Sequence, residues 1–487
     1  MKRILIERLP RIEGNLRVVL SETDPENLVH LESGRSLHTK EMLVGKYPLE
    51  SIELTQRLSA KSSVAHAIAS VMALENYLQL DPTPTALQIR NVLIQLSTLY
   101  SHIHHFYWEV LPEYLNATHF KGNAHQFLKY YIGYTPLKKK SGDLSKSVGQ
   151  KLISKIPMAF EVLNILQKVL TLPTGKFPVI MNMIPGGLTN PSFNRVLIME
   201  MVRYLEGIKF FVEEEWPGAV KLLIQNRSES VRIYKKKVNL LSFGSLPSGT
   251  IKDQYAHYSD GVLIDGKLEP VNELKITESL DSTYFLPFDK ITAKASKRFD
   301  LKKEDARTWL IGARYDTETM LTGALSRMLV THFGGGNLGI SDRISQMLDD
   351  LGLTTESPNC IATRLLAEVF EGRLYLKSVM GILLDVDVDA PLNRKTPFDF
   401  SNNGTGVGKI ESPGGALLHQ VYIDNNKITQ YRIVSPVNWN FSPSDASGKM
   451  GIVETELNKL LESEKLSLER ARRILYSYNT QILDGTH

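Results

Sequence analysis

Cysteine is almost missing from this chain: its 487 residues include one, Cys360. A single thiol cannot close an internal disulfide, complete a thiolate zinc site or hold an iron–sulfur cluster. Any iron–sulfur chemistry linked to the chain is therefore expected in a partner subunit. Long apolar runs are missing too. None reaches the ~18 residues a membrane-spanning helix needs. Residues 1–11 are charged and strand-like, without a signal-peptide core, so the cytoplasm is the expected compartment, with export alongside a partner as the alternative. Neither charge sign dominates: a net charge of +4 gives no electrostatic footprint for nucleic acid.

What remains is ordinary globular composition, 42% hydrophobic and 23% charged, neither disordered nor coiled coil. A chain this long can bury a large core. No repeat or low-complexity linker divides it, and the whole of 1–487 reads as one mainly helical unit with β elements at its edges.

The apolar spacing predicts a strand or hairpin over 4–20 and helices over 64–80, 86–115, 157–170, 191–215, 317–330, 340–351, 363–379 and 454–475. In 86–115, Ile89, Val92, Leu93, Leu96, Leu99, Ile103, Phe106 and Val110 recur at helical spacing. Residues 117–150, with Lys138, Lys139 and Lys140 in a row, read as a surface insertion, and 217–300 as a β-containing peripheral region. From 404 to 439 the pattern is strand, turn, strand, with Asp424-Asn425-Asn426 as the turn.

Several separated segments carry the chemistry. Pro10-Arg11-Ile12-Glu13-Gly14-Asn15 stands near the start. Arg57-Leu58-Ser59-Ala60-Lys61-Ser62 follows, with His66 four residues on. Thr308-Trp309-Leu310-Ile311-Gly312-Ala313-Arg314-Tyr315, Ile410-Glu411-Ser412-Pro413-Gly414-Gly415-Ala416 and Pro436-Val437-Asn438-Trp439-Asn440 come later. The sequence ends Ser477-Tyr478-Asn479-Thr480-Gln481-Ile482-Leu483-Asp484-Gly485-Thr486-His487. In this order the segments resemble those of nickel–iron hydrogenase large subunits: R-I-E-G-H, R-x-C-G-x-C-x-x-x-H, W-x-x-A-P-R-Y, E-A-P-R-G-A, P-x-x-W-N and S-F-D-P-C-x-x-C-x-x-H. The resemblance spans nearly the whole chain. It implies a mainly α (α+β) hydrogenase large-subunit fold, a long-helix bundle with peripheral β pieces.

The resemblance also marks what has changed. The family's four metal-binding cysteines stand here as Ser59, Ser62, Gln481 and Asp484. Gly414 stands where the family has arginine, and Asn15 where it has histidine. Counting back from Arg57 puts Lys40, with Glu41 beside it, where the family has a glutamate that binds a structural magnesium together with the terminal histidine, here His487. Thiolates suit nickel and iron because they are soft, anionic and able to bridge. Two hydroxyls, a neutral amide and one hard carboxylate supply none of this. No nickel–iron centre and no other cofactor is expected in this chain. A C-terminal processing step is not expected either.

The remaining candidates have two readings each. Glu13 is a buried proton carrier or a structural carboxylate paired with Arg11 or Arg57. If the fold is kept, Ser59, Ser62, Gln481 and Asp484 converge on a polar pocket for a small ligand or for a hard cation such as magnesium with Glu13 and His487, or on a hydrogen-bonded plug. His66 faces that pocket or is a hydrogen-bonded core histidine. His102 and His105 share a helix face and read as a metal pair or, with no cysteine and no carboxylate at ligand spacing, as packed or solvent-exposed residues. Asp385, Asp387 and Asp389 read as a solvated strand end. Gly334-Gly335-Gly336 and Gly404-x-Gly406-x-Gly408 lack the strand-to-helix context of a phosphate loop. The lysine runs at Lys138 and Lys235 read as solvated surface.

The function these readings imply is that of a structural or repurposed subunit of a multi-subunit redox complex, beside a small-subunit-like iron–sulfur protein. The alternatives are a hydrogenase assembly scaffold, or a subunit whose pocket takes another small substrate such as a quinone.

Overall fold

The computed structural model describes residues 5–6, 16–20, 29–33, 42–116, 119, 144–189, 193–226, 237–244, 258–286, 299–462 and 467–479. Strands β1 (Leu5–Ile6), β2 (Leu16–Leu20) and β3 (Val29–Ser33) form an antiparallel sheet. The helices α1 (Glu50–Thr55), α2 (Ser63–Leu78) and α3 (Pro84–His104) follow. Thr83 caps α3 by accepting from the Ala86 N–H, and Pro84 takes the first position, where no amide hydrogen is needed. The helical path then continues through a π-helical turn (His105–Val110) and a 3-10 turn (Leu111–Tyr114) that contains Pro112. Helices α4 (Lys146–Ile153) and α5 (Ile156–Thr174), strands β4 (Met183–Ile184) and β5 (Gly187–Leu188), and helices α6 (Arg195–Phe210) and α7 (Trp216–Gln225) come next.

Strands β6 (Asn239–Phe243), β7 (Asp260–Ile264), β8 (Lys267–Glu269), β9 (Ile276–Ser279), β10 (Gly312–Tyr315) and β11 (Met320–Leu321) lead to α8 (Ala324–Phe333), α9 (Leu338–Leu351) and α10 (Ile361–Asp385). The antiparallel strands β12 (Gly404–Ser412), β13 (Gly415–Asp424) and β14 (Lys427–Val434) precede α11 (Pro436–Asn440), α12 (Ile452–Glu462) and α13 (Leu468–Tyr476).

The core is the bundle of α3, α5, α6, α7 and α10. The apolar series read from the sequence, from Ile89 in α3 to Val110 in the π-helical turn after it, is buried without exception, and Ile94 and Leu111 are buried beside it. Gly372 lets α10 approach the buried Trp216 ring, since a Cβ there would lie 2.6 Å from it. On the other side, α2 lies against β12 and β13. A Cβ on Gly406 would fall 1.9 Å from the Ala73 carbonyl oxygen, and one on Gly408 2.0 Å from that of Ala69. The alternate glycines of β12 are thus the seat of a helix backbone. The fold is mainly α with peripheral β, as the resemblance implied.

Some element readings need correction. The helix placed over 317–330 starts only at Ala324, because Met320–Leu321 pairs in parallel with β6. The single helix over 454–475 is two helices, α12 and α13. The strand pair over 404–439 is three strands, with an extra turn at Pro413-Gly414 besides the one at Asn425 and Asn426, whose φ values are positive. Asp385 closes a helix rather than a strand, and the Asp387 carboxylate accepts from the Asp389 N–H. Residues 117–118 and 120–143, and Lys235 and Lys236, lie outside the described residues; Lys237 is exposed and pairs with Asp265, and α4 begins at Lys146. Among the described residues, no helix is long and apolar enough to cross a membrane.

Candidate functional site

The Arg57–His66 segment sits at the entry to α2. Ser59 is extended after a 3-10 turn, and Ser62 is the residue before the first turn of α2. Both are buried, and the Ser62 N–H donates to Ser59 Oγ at 3.1 Å. The side chain between them, Lys61, turns inward. Its Nζ donates to Glu109 Oε1 at 2.7 Å and to Asn479 Oδ1 at 3.2 Å. Glu109 comes from the π-helical turn after α3, and Asn479 from the C-terminal run. Burial works to raise the Glu109 carboxyl, but Lys61, His104 and His105 outweigh it and hold the group at about 2.

Asn479 joins this motif to the bundle. Its Oδ1 also accepts from Ser101 Oγ at 3.2 Å, and its Nδ2 lies 2.9 Å from His102 Nδ1. Lys61 can only donate, so the amide oxygen must face it and the amide nitrogen must face His102. His102 Nδ1 is then an acceptor, and its Nε2–H donates to Glu371 Oε2 at 2.6 Å. His105 Nδ1 lies 2.8 Å from Glu368 Oε2, and its Nε2 donates to the Tyr476 carbonyl. His102 and His105 are thus packed in the core, and their carboxylate partners come from a distant helix rather than from any local ligand spacing. The partners are three apart on α10, so the two pairs form rungs between helices that no local spacing could reveal. His104 instead stacks between the rings of Tyr100 and Trp108.

Beyond Glu371 lies Arg327 of α8. Its guanidinium meets Glu371 through Nε (2.8 Å) and Nη2 (2.5 Å), and Glu411 of β12 through Nη1 (2.6 Å). For Glu371, burial is overcome by Arg327 and His102, and the carboxyl is held at about 2. For Glu411, burial wins over Arg327 and the Phe243 N–H, neighbouring Glu371 adds to it, and the carboxyl is pushed up to about 7. One guanidinium serves two carboxylates here, and Glu371 has His102 and the Tyr375 hydroxyl besides.

Gly414 lies at the tip between β12 and β13. With Pro413, Thr322, Asn440, Arg364, Glu368 and Asn479 it lines a cavity of about 20 Å³, room for about one water molecule. Asn479 thus touches both the Ser59–Ser62 loop and the Gly414 cavity. His66 is fully buried one turn into α2 and faces His419 of β13, with Nδ1 and Nε2 2.9 Å apart. Arg57 is exposed and pairs with Glu53. Glu13, Lys40, Gln481, Asp484 and His487 lie outside the described residues.

Lys61, Glu109, Asn479, Glu371 and Arg327 were missed by sequence reasoning. Lys61 was the one with a signal, a lysine inside a motif whose partners are otherwise small. The donors described here do not fit nickel: two hydroxyls, one already accepting a backbone N–H, and an ammonium that can only repel a cation. Among the described residues no three His, Cys, Asp or Glu side chains gather as for a metal ion.

Comparison with known proteins agrees with this architecture. Residues 39–154 and 152–480 match the nickel-dependent hydrogenase family. The chain is 25% identical over 505 residues to the periplasmic [NiFeSe] hydrogenase large subunit of Desulfomicrobium baculatum, covering 100% of this chain and 95% of the relative. It is 24% identical over 533 residues to the hydrogenase-2 large chain of Escherichia coli, covering 94% and 92%. The solved [NiFeSe]-hydrogenase of Dm. baculatum superposes with a TM-score of 0.83 at 22% identity, covering 100% of this chain and 99% of that one. The chain belongs to the nickel-dependent hydrogenase family.

Proposed function

We propose that this chain is a hydrogenase large-subunit homologue without a nickel–iron centre. It acts as a structural or repurposed subunit of a redox complex, beside an iron–sulfur small subunit. The observation that carries this reading is the Ser59–Ser62 loop. Both positions that carry cysteine in the family carry hydroxyls, and the loop's own lysine is held inward by Glu109 and Asn479. Soft-metal affinity depends on thiolate donors, and the sequence at Gln481 and Asp484 supplies none. The partner follows from the names of the relatives, which are large subunits or large chains, and from the single cysteine, which leaves iron–sulfur ligation to another chain.

The test is purification of the native complex under anaerobic conditions, with metal analysis and identification of the associated chains. An iron–sulfur partner in equimolar amount, with iron accounted for by its clusters and no nickel, is the expected result. Nickel equimolar with this chain, together with cyanide and carbonyl bands in the infrared, would end the proposal. Transient association with a hydrogenase precursor alone would favour the assembly-scaffold alternative.

A further inference from the structure

Lys61 is an unusual residue to bury. Its side chain is 9% exposed and that of Glu109 3%. A buried ammonium is costly unless it is paired and hydrogen-bonded. It is placed on the turn where the family binds its metal, and two of its partners come from distant parts of the chain. Glu109 extends from the core helix path, and Asn479 from the C-terminal run that carries the other altered ligand positions. Among the described ion pairs, Lys61 is the only lysine or arginine partner of Glu109, the other being His104 at 3.5 Å. The same ammonium fixes the orientation of the Asn479 amide and, through it, the tautomer of His102. One positive charge thus ties three segments together, the loop, the bundle and the C-terminal run.

We infer that Lys61 is the resident cation of this site: its ammonium, carried by the chain itself, takes over the task of clamping the ligand loop and the C-terminal run onto the bundle. The inference rests on the reading that no nickel–iron centre is present. It goes further in saying what holds the site closed without one, and it makes closure of this site independent of metal insertion.

The experiment is hydrogen exchange, read by mass spectrometry on the full chain with its partners, for Lys61→Met and Lys61→Arg. The same preparations are analysed for nickel and iron. Lys61→Met should exchange tenfold or more faster in segments 59–63 and 476–479, and Lys61→Arg should keep most of the protection, because it keeps the charge. Unchanged protection in Lys61→Met, or equal loss in both variants, overturns the inference. Should Lys61→Met fail to accumulate as folded protein, Glu109→Gln is read in the same way, with the same loss expected and its absence decisive against the clamp. The two ideas fail separately. Stoichiometric nickel in the unaltered protein removes the reading without a centre whatever the variants do, whereas a metal-free site that stays protected in Lys61→Met removes only the role given to Lys61.

Discussion

His66 donates its Nδ1 proton to His419 Nε2 across 2.9 Å, and the direction of that bond is set at the far end of a chain. The Pro48 carbonyl can only accept, so Ser51 donates to it at 2.7 Å. Ser70 must then donate to Ser51 (2.9 Å), Tyr431 to Ser70 (3.1 Å) and His419 Nδ1 to Tyr431 (2.9 Å). Each hydroxyl has one proton to give, so His419 Nδ1 carries a proton, and in the neutral ring its Nε2 accepts from His66 Nδ1. Nitrogen NMR on histidine-labelled protein should show Nδ1–H on both rings, with Nε2 of His419 as the acceptor. A proton on His419 Nε2 would break the chain as described. Tyr431→Phe leaves a buried imidazole N–H without its acceptor and should cost about 1–3 kcal/mol in denaturant unfolding.

Arg327 should be far less replaceable than any one of its partners. Its side chain is 1% exposed, and it pairs with Glu371 and Glu411 together. Arg327→Met leaves two buried carboxylates with no guanidinium. Breaking a buried pair from one side costs about 3–5 kcal/mol, and the loss here should reach at least that, measured as a shift in the denaturant midpoint at constant slope. A loss below about 1 kcal/mol, the range of exposed ion pairs, would show that the cluster is not the electrostatic centre of the bundle.

Stability should depend on pH from both sides. Glu109 and Glu371 are held at about 2 in the fold, against an ordinary 4.5. A depressed carboxyl stabilises above its unfolded value, so this contribution fades as pH falls from 4.5 toward 2. Glu454 is the opposite case. Burial pushes it up to about 7, against the pull of the Leu31 N–H and Arg307. A raised carboxyl stabilises below its unfolded value, and that contribution is lost as pH rises from 4.5 through about 7. Glu454→Gln keeps the acceptor for Leu31 N–H and removes the titration. Its unfolding free energy should therefore fall less than that of the unaltered protein between pH 5 and 8, as followed by urea melts at a series of pH values. Parallel curves for the two proteins would remove Glu454 from the account.

The fold was legible because it is repeated at many scales in the sequence. The apolar series from Ile89 to Val110 specifies a buried helix, and the ordered segments at both ends of the chain specify which bundle it joins. The site was only half legible. Ser59, Ser62, His66 and Gly414 could be named from motif positions. Glu109, Glu371 and Arg327 could not, because their partners lie 48, 269 and 84 residues away at Lys61, His102 and Glu411. Hydrogen bonding between distant helices leaves no period in a sequence. The missed turn at Pro413-Gly414 has a different cause. Pro413-Gly414 stands inside a segment that aligns with a family motif residue by residue, and that alignment hides the turn chemistry of Pro-Gly.

The glycines of β12 offer the sharpest packing test. Read as a sequence, Gly404-x-Gly406-x-Gly408 lacks the context of a phosphate loop and has no assigned role. In the structure its period of two puts the glycines on the one strand face that meets α2. The atoms in the way of a side chain at 406 or 408 are carbonyl oxygens of Ala73 and Ala69, 1.9 and 2.0 Å from the Cβ positions. A flexible side chain could rotate aside, but a helix backbone cannot, so α2 would have to lift off the sheet and carry His66 away from His419. Overpacking usually costs about 1–3 kcal/mol; Gly408→Ala should lie at or above the top of that range and disturb the His66 ring signals as well. Gly266→Ala is the control: its methyl would meet nothing within 4 Å, though its φ of +83° is strained for alanine. It should cost less and leave His66 unmoved. Equal stability losses, with His66 unperturbed in both, would mean that the seat of α2 on β12 is not as close as the backbone geometry requires.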